Sequence, residues 1–252
     1  MNGRERIALA MAGQEADRVP VMCQLAIGHY MLNTDFDPVD IWFTSDAFAQ
    51  ALVRLQRRYR FDGILVNIPG RPDGVLDRVV SRRRTPDGQV LEFDSGERVE
   101  VPNDDNAQLS IGTSGREERF DFLSHTVDDL DSVDRFAGYV WGIYHIPWLP
   151  GKDDPGLLTE VPEYFYRAID GVRELTDGEV AIHGEVFSPF THFMELVGYE
   201  SALTNLVLDP AKAHAILDRL TTASIAWAVG QARRGVDAVL ISSAFAGGPL
   251  LS

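Results

Sequence analysis

Hydrophobic and polar positions switch between two periods along this chain, and the switches divide it into elements. At the start, Ile7, Leu9 and Met11 are the apolar positions of a short helix that Asn2 caps, with Glu5 at its third position and Gly13 as its stop. Val19 to Leu25 is a short apolar run with Pro20 near its beginning, and it reads as a first strand because a strand's first residues need no ladder donor. Asp37-Pro38 then opens a helix as cap and first residue, and Ile41, Phe48, Leu52, Leu55 and Tyr59 recur along one face of it. Arg54, Arg57, Arg58 and Arg60 crowd its last turns, where cations suit the helix dipole. Gly63 to Ile68 is a continuous apolar run, the pattern of a buried parallel strand. From Arg71 to Leu109 a period of two takes over. RVVSRRR, QVLEF and RVEVP are separated by Pro86-Asp87-Gly88 and Asp94-Ser95-Gly96, so residues 71–109 are expected as a β-meander inserted after strand two.

The second half returns to longer elements. Residues 103–119 are polar and glycine-bearing, a loop, and Thr126-Val-Asp-Asp resembles a capping box for a short helix reaching Phe136. Tyr139 to Pro150 is an aromatic-rich loop that carries His145, and Leu157 to Leu175 has helical spacing. Val180 to Val186 alternates as a strand; Ser188-Pro189 then breaks it and starts a helix. After Asp209-Pro210 a long helix presents Ile216, Leu220, Ala223 and Trp227 on one face and stops at Gly235, before a last strand at 236–243. Four strands alternating with helices predict an α/β fold with a parallel sheet, a single domain over 1–252 that contains the meander.

Composition narrows the class of protein without naming it. Of 252 residues 45% are apolar, and the charge of −15 argues against a nucleic-acid or anionic-membrane partner. The one cysteine, Cys23, has no intrachain partner, no leader is visible, and no window is apolar enough to span a bilayer; a cytoplasmic protein is expected.

The chemistry gathers where such folds place it, at the carboxyl ends of strands. His183, Glu185, Ser188, Thr191 and His192 fall within ten positions. His183 and Glu185 are two apart on a strand and share a face, so they can bind a metal, act as an acid/base pair, or fill a layer of the core as a hydrogen-bonded polar pair. With His192 they are the candidate catalytic residues. The candidate substrate-binding residues are His29 and Tyr30 beyond the first strand, Asn67 at the end of the second, Glu195 one helical turn after His192, and Ser242 and Ser243 ending the last strand. His192 and Glu195 can equally pair with each other. No Cys-x-x-Cys, His-x-Cys or glycine-rich phosphate loop is present, and any metal is left unknown.

SPFTHFMELVGYESALTNLVLDPAKAHAILDRLT, followed by a helix and VDAVLISSAFAGGPLLS, resembles the uroporphyrinogen decarboxylase superfamily. There a GPFT…L.G.E segment precedes a DP…H.LL..LT helix, and the next strand ends near an AG..LS turn. NGRERIALAMAGQEADRVPVM is similar to the family's opening, RER.L.AL.G...DR.PV. The resemblance implies a (β/α)8 barrel, of which this chain holds about the first four βα units. A piece of a longer protein, or a half-barrel completed by another chain such as a second copy, is the expectation. The superfamily joins porphyrinogen decarboxylases to corrinoid-dependent methyltransferases, and some of the latter carry a similar hairpin insertion. Leu25 and His29 stand where the decarboxylases' RQAGRY loop has its arginines, no carboxylate stands at Asn67 to Pro69, and Glu195 replaces a tyrosine. The branch expected is therefore a methyltransferase acting on a small methylated compound with a corrinoid carrier protein as partner. Zinc is implied for that branch, its His-x-Cys and later Cys lying in the half this chain lacks. The alternatives are uroporphyrinogen decarboxylase of porphyrin biosynthesis, which needs no cofactor, and a non-catalytic half-barrel.

Overall fold

The structure, a computed structural model, describes residues 1–110, 120–131 and 161–247. The aromatic segment 139–150 with His145, and the expected helix end at Phe136, lie outside them. In chain order the longer elements are α1 (Gly3–Met11), α2 (Ile27–Asn33), α3 (Pro38–Phe43), α4 (Ser45–Tyr59), β1 (Gly63–Val66), β2 (Val79–Thr85), β3 (Gly88–Phe93), β4 (Arg98–Pro102), β5 (Gln108–Ser110), α5 (Arg167–Leu175), β6 (Ala181–Phe187), α6 (Pro189–Val197), α7 (Tyr199–Leu208), α8 (Pro210–Arg233) and β7 (Ala238–Ser242). Two sheets result: β1-β6-β7, and the antiparallel β2-β3-β4-β5. In the first, β1 runs parallel to β6 and β6 parallel to β7, the arrangement expected from three apolar runs linked by helices.

The helices start where short polar side chains can take orphan amides. Asn2 accepts from the Glu5 amide while Glu5 reaches back to the Asn2 amide, a full capping box. The single helix expected after Asp37 is two. Asp37 caps α3 through the Val39 amide at 2.9 Å, and Thr44 interrupts with extended dihedrals (φ −127°, ψ 134°). The Thr44 hydroxyl donates to the Asp40 carbonyl at 2.9 Å and accepts from the Ala47 amide at 3.3 Å, so one residue ends α3 and begins α4. A second departure is Gly28-His29-Tyr30, which forms part of α2 rather than a loop. Gly28 fits there because any Cβ would meet the Asp104 carbonyl oxygen of the meander at 1.7 Å.

Residues 19–25 correct a third expectation, since they run extended without pairing as a strand. Pro20 has no amide to give, Val19 is 83% exposed, and Val21 is held by Asp62 instead of by a ladder. The Asp62 amide donates to the Val21 carbonyl at 2.7 Å, and the Val21 amide donates to the Asp62 carboxylate at 2.8 Å. Asp237, just before β7, repeats the device on Ile182 of β6: its amide donates to the Ile182 carbonyl at 2.7 Å and its carboxylate accepts the Ile182 amide at 2.9 Å. Both carboxylates are also gripped from α1, Asp237 by Arg4 at 2.7 Å and Asp62 by Arg6 at 3.1 Å. The first helix is thus bolted across the amino ends of the strands.

The helix-facing side of β6 carries Ile182, Gly184 and Val186. Ile182 joins the core of α3, α4 and α5; Val186 joins that of α6, α7 and α8. Between them, Gly184 leaves room for Gln231 of α8, whose side-chain amide donates to the Glu185 carbonyl at 2.8 Å. A Cβ at position 184 would stand 1.5 Å from Gln231 Oε1. Gly184→Ala is therefore expected to destabilise the chain by about 2 kcal/mol, and adding Gln231→Ala to recover at least ~1 kcal/mol of that. A double-mutant cycle of urea midpoints checks this; simple additivity would show that the two positions do not meet. No helix of the described residues is long and apolar enough to cross a membrane.

Candidate functional site

Because side chains alternate along a strand, His183, Glu185 and Phe187 lie on the sheet face opposite the helices. The register sets Leu65 of β1 and Ala238 of β7 beside His183, Leu240 beside Glu185, and Ser242 beside Phe187. This face is apolar apart from a few polar groups near the strand ends. Glu185 is buried and accepts hydrogen bonds from the Ser242 and Gln24 side chains. Burial pushes its carboxyl above the usual range, against the opposing pull of those two bonds. His183 is shifted the other way. Burial lowers its pKa, partly opposed by Asp237, and its buried Nε2 has no hydrogen-bond partner among the described residues. Both shifts act in the direction of the uncharged form, so the carboxyl keeps its proton to higher pH than a free one does.

A second group of polar side chains joins the ends of β6 and β7. The Ser188 hydroxyl caps α6 through the Thr191 amide at 3.1 Å and lies 2.8 Å from the Ser243 hydroxyl. The Ser188 amide donates to the Ser242 carbonyl at 2.8 Å, and the Thr191 hydroxyl to the same carbonyl at 3.4 Å. Ser242 links this cluster to Glu185. His192, one turn into α6, is buried with its ring edge-on to Phe187 at 5.8 Å.

Asn67 lines, with Glu185, Trp227 and Gln231, a cavity of about 10 Å3, room for roughly one water. Other candidates have partners elsewhere. His29 Nε2 lies 2.9 Å from the Tyr59 hydroxyl on α4, and Tyr30 is buried edge-on to Phe48 at 6.1 Å. Glu195 accepts from Tyr199 at 2.7 Å, one turn along. The residue missed in the sequence is Gln24. It sits in an unremarkable apolar run, and only the tertiary fold brings it to Glu185. Among the described residues no three His, Cys, Asp or Glu side chains gather as a metal site.

A parallel α/β sheet with its polar groups at the carboxyl ends of adjacent strands defines a broad class of barrel and doubly wound enzymes. The comparisons narrow it. The uroporphyrinogen decarboxylase (URO-D) family model matches residues 151–251, the segment holding β6, the Ser188 cap and β7. Among solved structures, a methyltransferase from Methanosarcina mazei superposes with a TM-score of 0.60 at 17% identity. The alignment covers 100% of this chain and 62% of that one, so the chain spans less than two thirds of the protein it matches. No curated protein matches it. Residues 151–251 are thus similar to the uroporphyrinogen decarboxylase family, and the chain as a whole shares the fold of that methyltransferase.

Proposed function

We propose that this chain forms part of a cytoplasmic methyltransferase that moves a methyl group between a small methylated compound and a corrinoid carrier protein. On this reading β1, β6 and β7 are consecutive strands of a (β/α)8 barrel and the Glu185 face is its interior. The observation that carries the proposal is Glu185 itself, a buried carboxyl steadied by Gln24 and Ser242, with His183 on the same strand face. A methyl group departing from oxygen or nitrogen leaves that atom needing a proton, and a carboxyl whose pKa burial raises is suited to supply it. Ser242 and Gln24 hold the carboxyl in place, and Leu65 gives that side an apolar wall. When the carrier protein docks, the corrinoid supplies the nucleophile that takes the methyl group. Porphyrinogen decarboxylation fits less well, because Leu25 and His29 hold no fixed charge for substrate carboxylates, and Glu185 would repel them if ionised.

The test is stoichiometric. The protein is incubated with methylated phenols or amines and a reduced corrinoid protein, and the demethylated product is measured by chromatography against cobalt methylation by visible spectroscopy. One product per methylated cobalt is expected. Full consumption of neither donor class across the panel, with the corrinoid spectrum unchanged, would sink the proposal.

A further inference from the structure

A second polar site lies away from Glu185, around a buried cation. Arg71 follows β1 and is 3% exposed. Its Nε donates to the Trp42 carbonyl at 2.8 Å and its Nη1 to the Pro69 carbonyl at 3.0 Å, with the guanidinium 5.4 Å from the Trp42 ring centre. Those bonds occupy two of five N–H groups. Among the described residues no carboxylate lies within ion-pair distance of it. Burial brings the group down to about 10, which leaves it charged at neutral pH. An isolated buried charge is among the more expensive features a fold can hold, so its counter-charge has to come from somewhere. The neighbouring Tyr164 hydroxyl, close enough to interact electrostatically with Arg71, is buried and also without a hydrogen-bond partner among the described residues.

Arg71 lines a cavity of about 290 Å3 formed by the start of α4, the 71–77 turn and Arg167 at the start of α5. None of its lining residues belongs to the Glu185 group. The floor is buried Arg71 and Ser45; the rim carries the exposed Asp46, Asp73 and Asp77. Asp73 is committed to Arg167. At the start of α4 the Ala47 amide goes to the Thr44 hydroxyl and the Phe48 amide to the Thr44 carbonyl. The Ser45 and Asp46 amides keep no acceptor among the described residues, as expected for a helix's first donors. Among the described residues Asp46 and Asp77 have no ion-pair partner, so a cation and two open amides below and two carboxylates above sort the cavity by charge along its depth.

We propose that this cavity binds a small zwitterion, its carboxylate set against the Arg71 guanidinium and the first amides of α4 and its ammonium directed at Asp46 and Asp77. Guanidinium and helix-start amides are both suited to a planar oxyanion, and the rim carboxylates make a simple anion a poorer ligand than one carrying its own cation. The cavity holds the volume of about ten waters, enough for an amino-acid-sized molecule.

Calorimetric titration of the whole chain with glycine, acetate and methylammonium at constant ionic strength tests this. Glycine should bind saturably with a Kd on the order of 1 mM, acetate at least ~10-fold more weakly, and methylammonium without saturation. Arg71→Gln should abolish glycine binding. Should that variant fail to fold, Asp77→Asn, at an exposed position, decides: it should weaken glycine toward the acetate value and leave acetate unweakened. Glu185→Gln should leave glycine binding unchanged. No saturable glycine binding, acetate binding as tight as glycine, or glycine binding indifferent to Asp77→Asn would each overturn the proposal.

Discussion

Asp62→Ala is expected to lower stability by about 3 kcal/mol, the largest loss for a single side chain distant from the cores. Asp62 is 2% exposed and accepts from Arg6 at 3.1 Å, from Arg18 at 2.7 Å and from the Val21 amide at 2.8 Å. Removing it takes one acceptor from each of two arginines and leaves the Val21 amide without its own. The estimate sits at the low end for a buried ion pair because Arg18 is 46% exposed and Arg6 keeps Asp17. Asp62→Asn retains an acceptor for Val21 and should cost roughly half as much. Burial works to raise the Asp62 carboxyl, but the Val21, Arg18 and Arg6 bonds outweigh it and hold the group below the usual aspartate range. A depressed folded pKa contributes stability that is present above the unfolded value and lost as pH falls through the folded one. The gap between wild type and Asp62→Asn should therefore be constant near neutrality and close below about pH 4. Urea denaturation at several pH values measures it; a gap that persists at pH 2 would mean that charge is not the cause.

Under the proposed reaction, Glu185→Gln is expected to cut methyl transfer by roughly 10²–10⁴-fold, the usual worth of a positioned proton donor, while leaving the fold intact. The amide preserves shape and hydrogen-bonding capacity toward Ser242 and Gln24 but has no acidic proton to give. Stability should move the opposite way from activity. Because burial raises the folded pKa of Glu185, its proton is held more tightly in the fold than in the unfolded chain. That contribution is complete below the unfolded value, about 4.3, and is lost as pH rises through the folded value. Glutamine stays neutral throughout, so the variant should be more stable than wild type at pH 7, with the gain vanishing at low pH. The wild-type rate should also fall as pH rises through that raised pKa, a limb missing from the variant's residual activity. Thermal melts and pH–rate profiles of the two proteins check both halves; equal stability at all pH values would show that Glu185 is not held in its neutral form.

Much of this architecture is written in local pattern. The continuous apolar run at 63–68 and the alternation at 180–186 give the parallel strands to within a few residues, because burial on both faces leaves few other uses for such runs. The Asn2, Asp37, Ser188 and Asp209 caps are legible because a helix start needs a short polar acceptor at one position only. Residues 19–25 look equally strand-like, yet they do not pair. What decides there is the Asp62 carboxylate, about forty positions away, which local periodicity does not contain. The site divides the same way. Glu185, His183 and Ser242 follow from strand period and strand ends, whereas Gln24 and the buried Arg71 depend on contacts between distant segments. Glu195, one turn from His192, also has Tyr199 within reach and accepts its hydroxyl, since several neighbours share one helix face.

The most direct measurement sets the two chemistries of the superfamily side by side. The full-length protein is given uroporphyrinogen III in one reaction and methylated phenols or amines with a reduced corrinoid protein in the other, and porphyrins and phenols or amines are resolved by chromatography. Methyl transfer predicts demethylated product in the second reaction and a porphyrinogen that keeps all of its carboxylates in the first. Stepwise loss of carboxylates from the porphyrinogen, with the methylated donors untouched, would contradict the account.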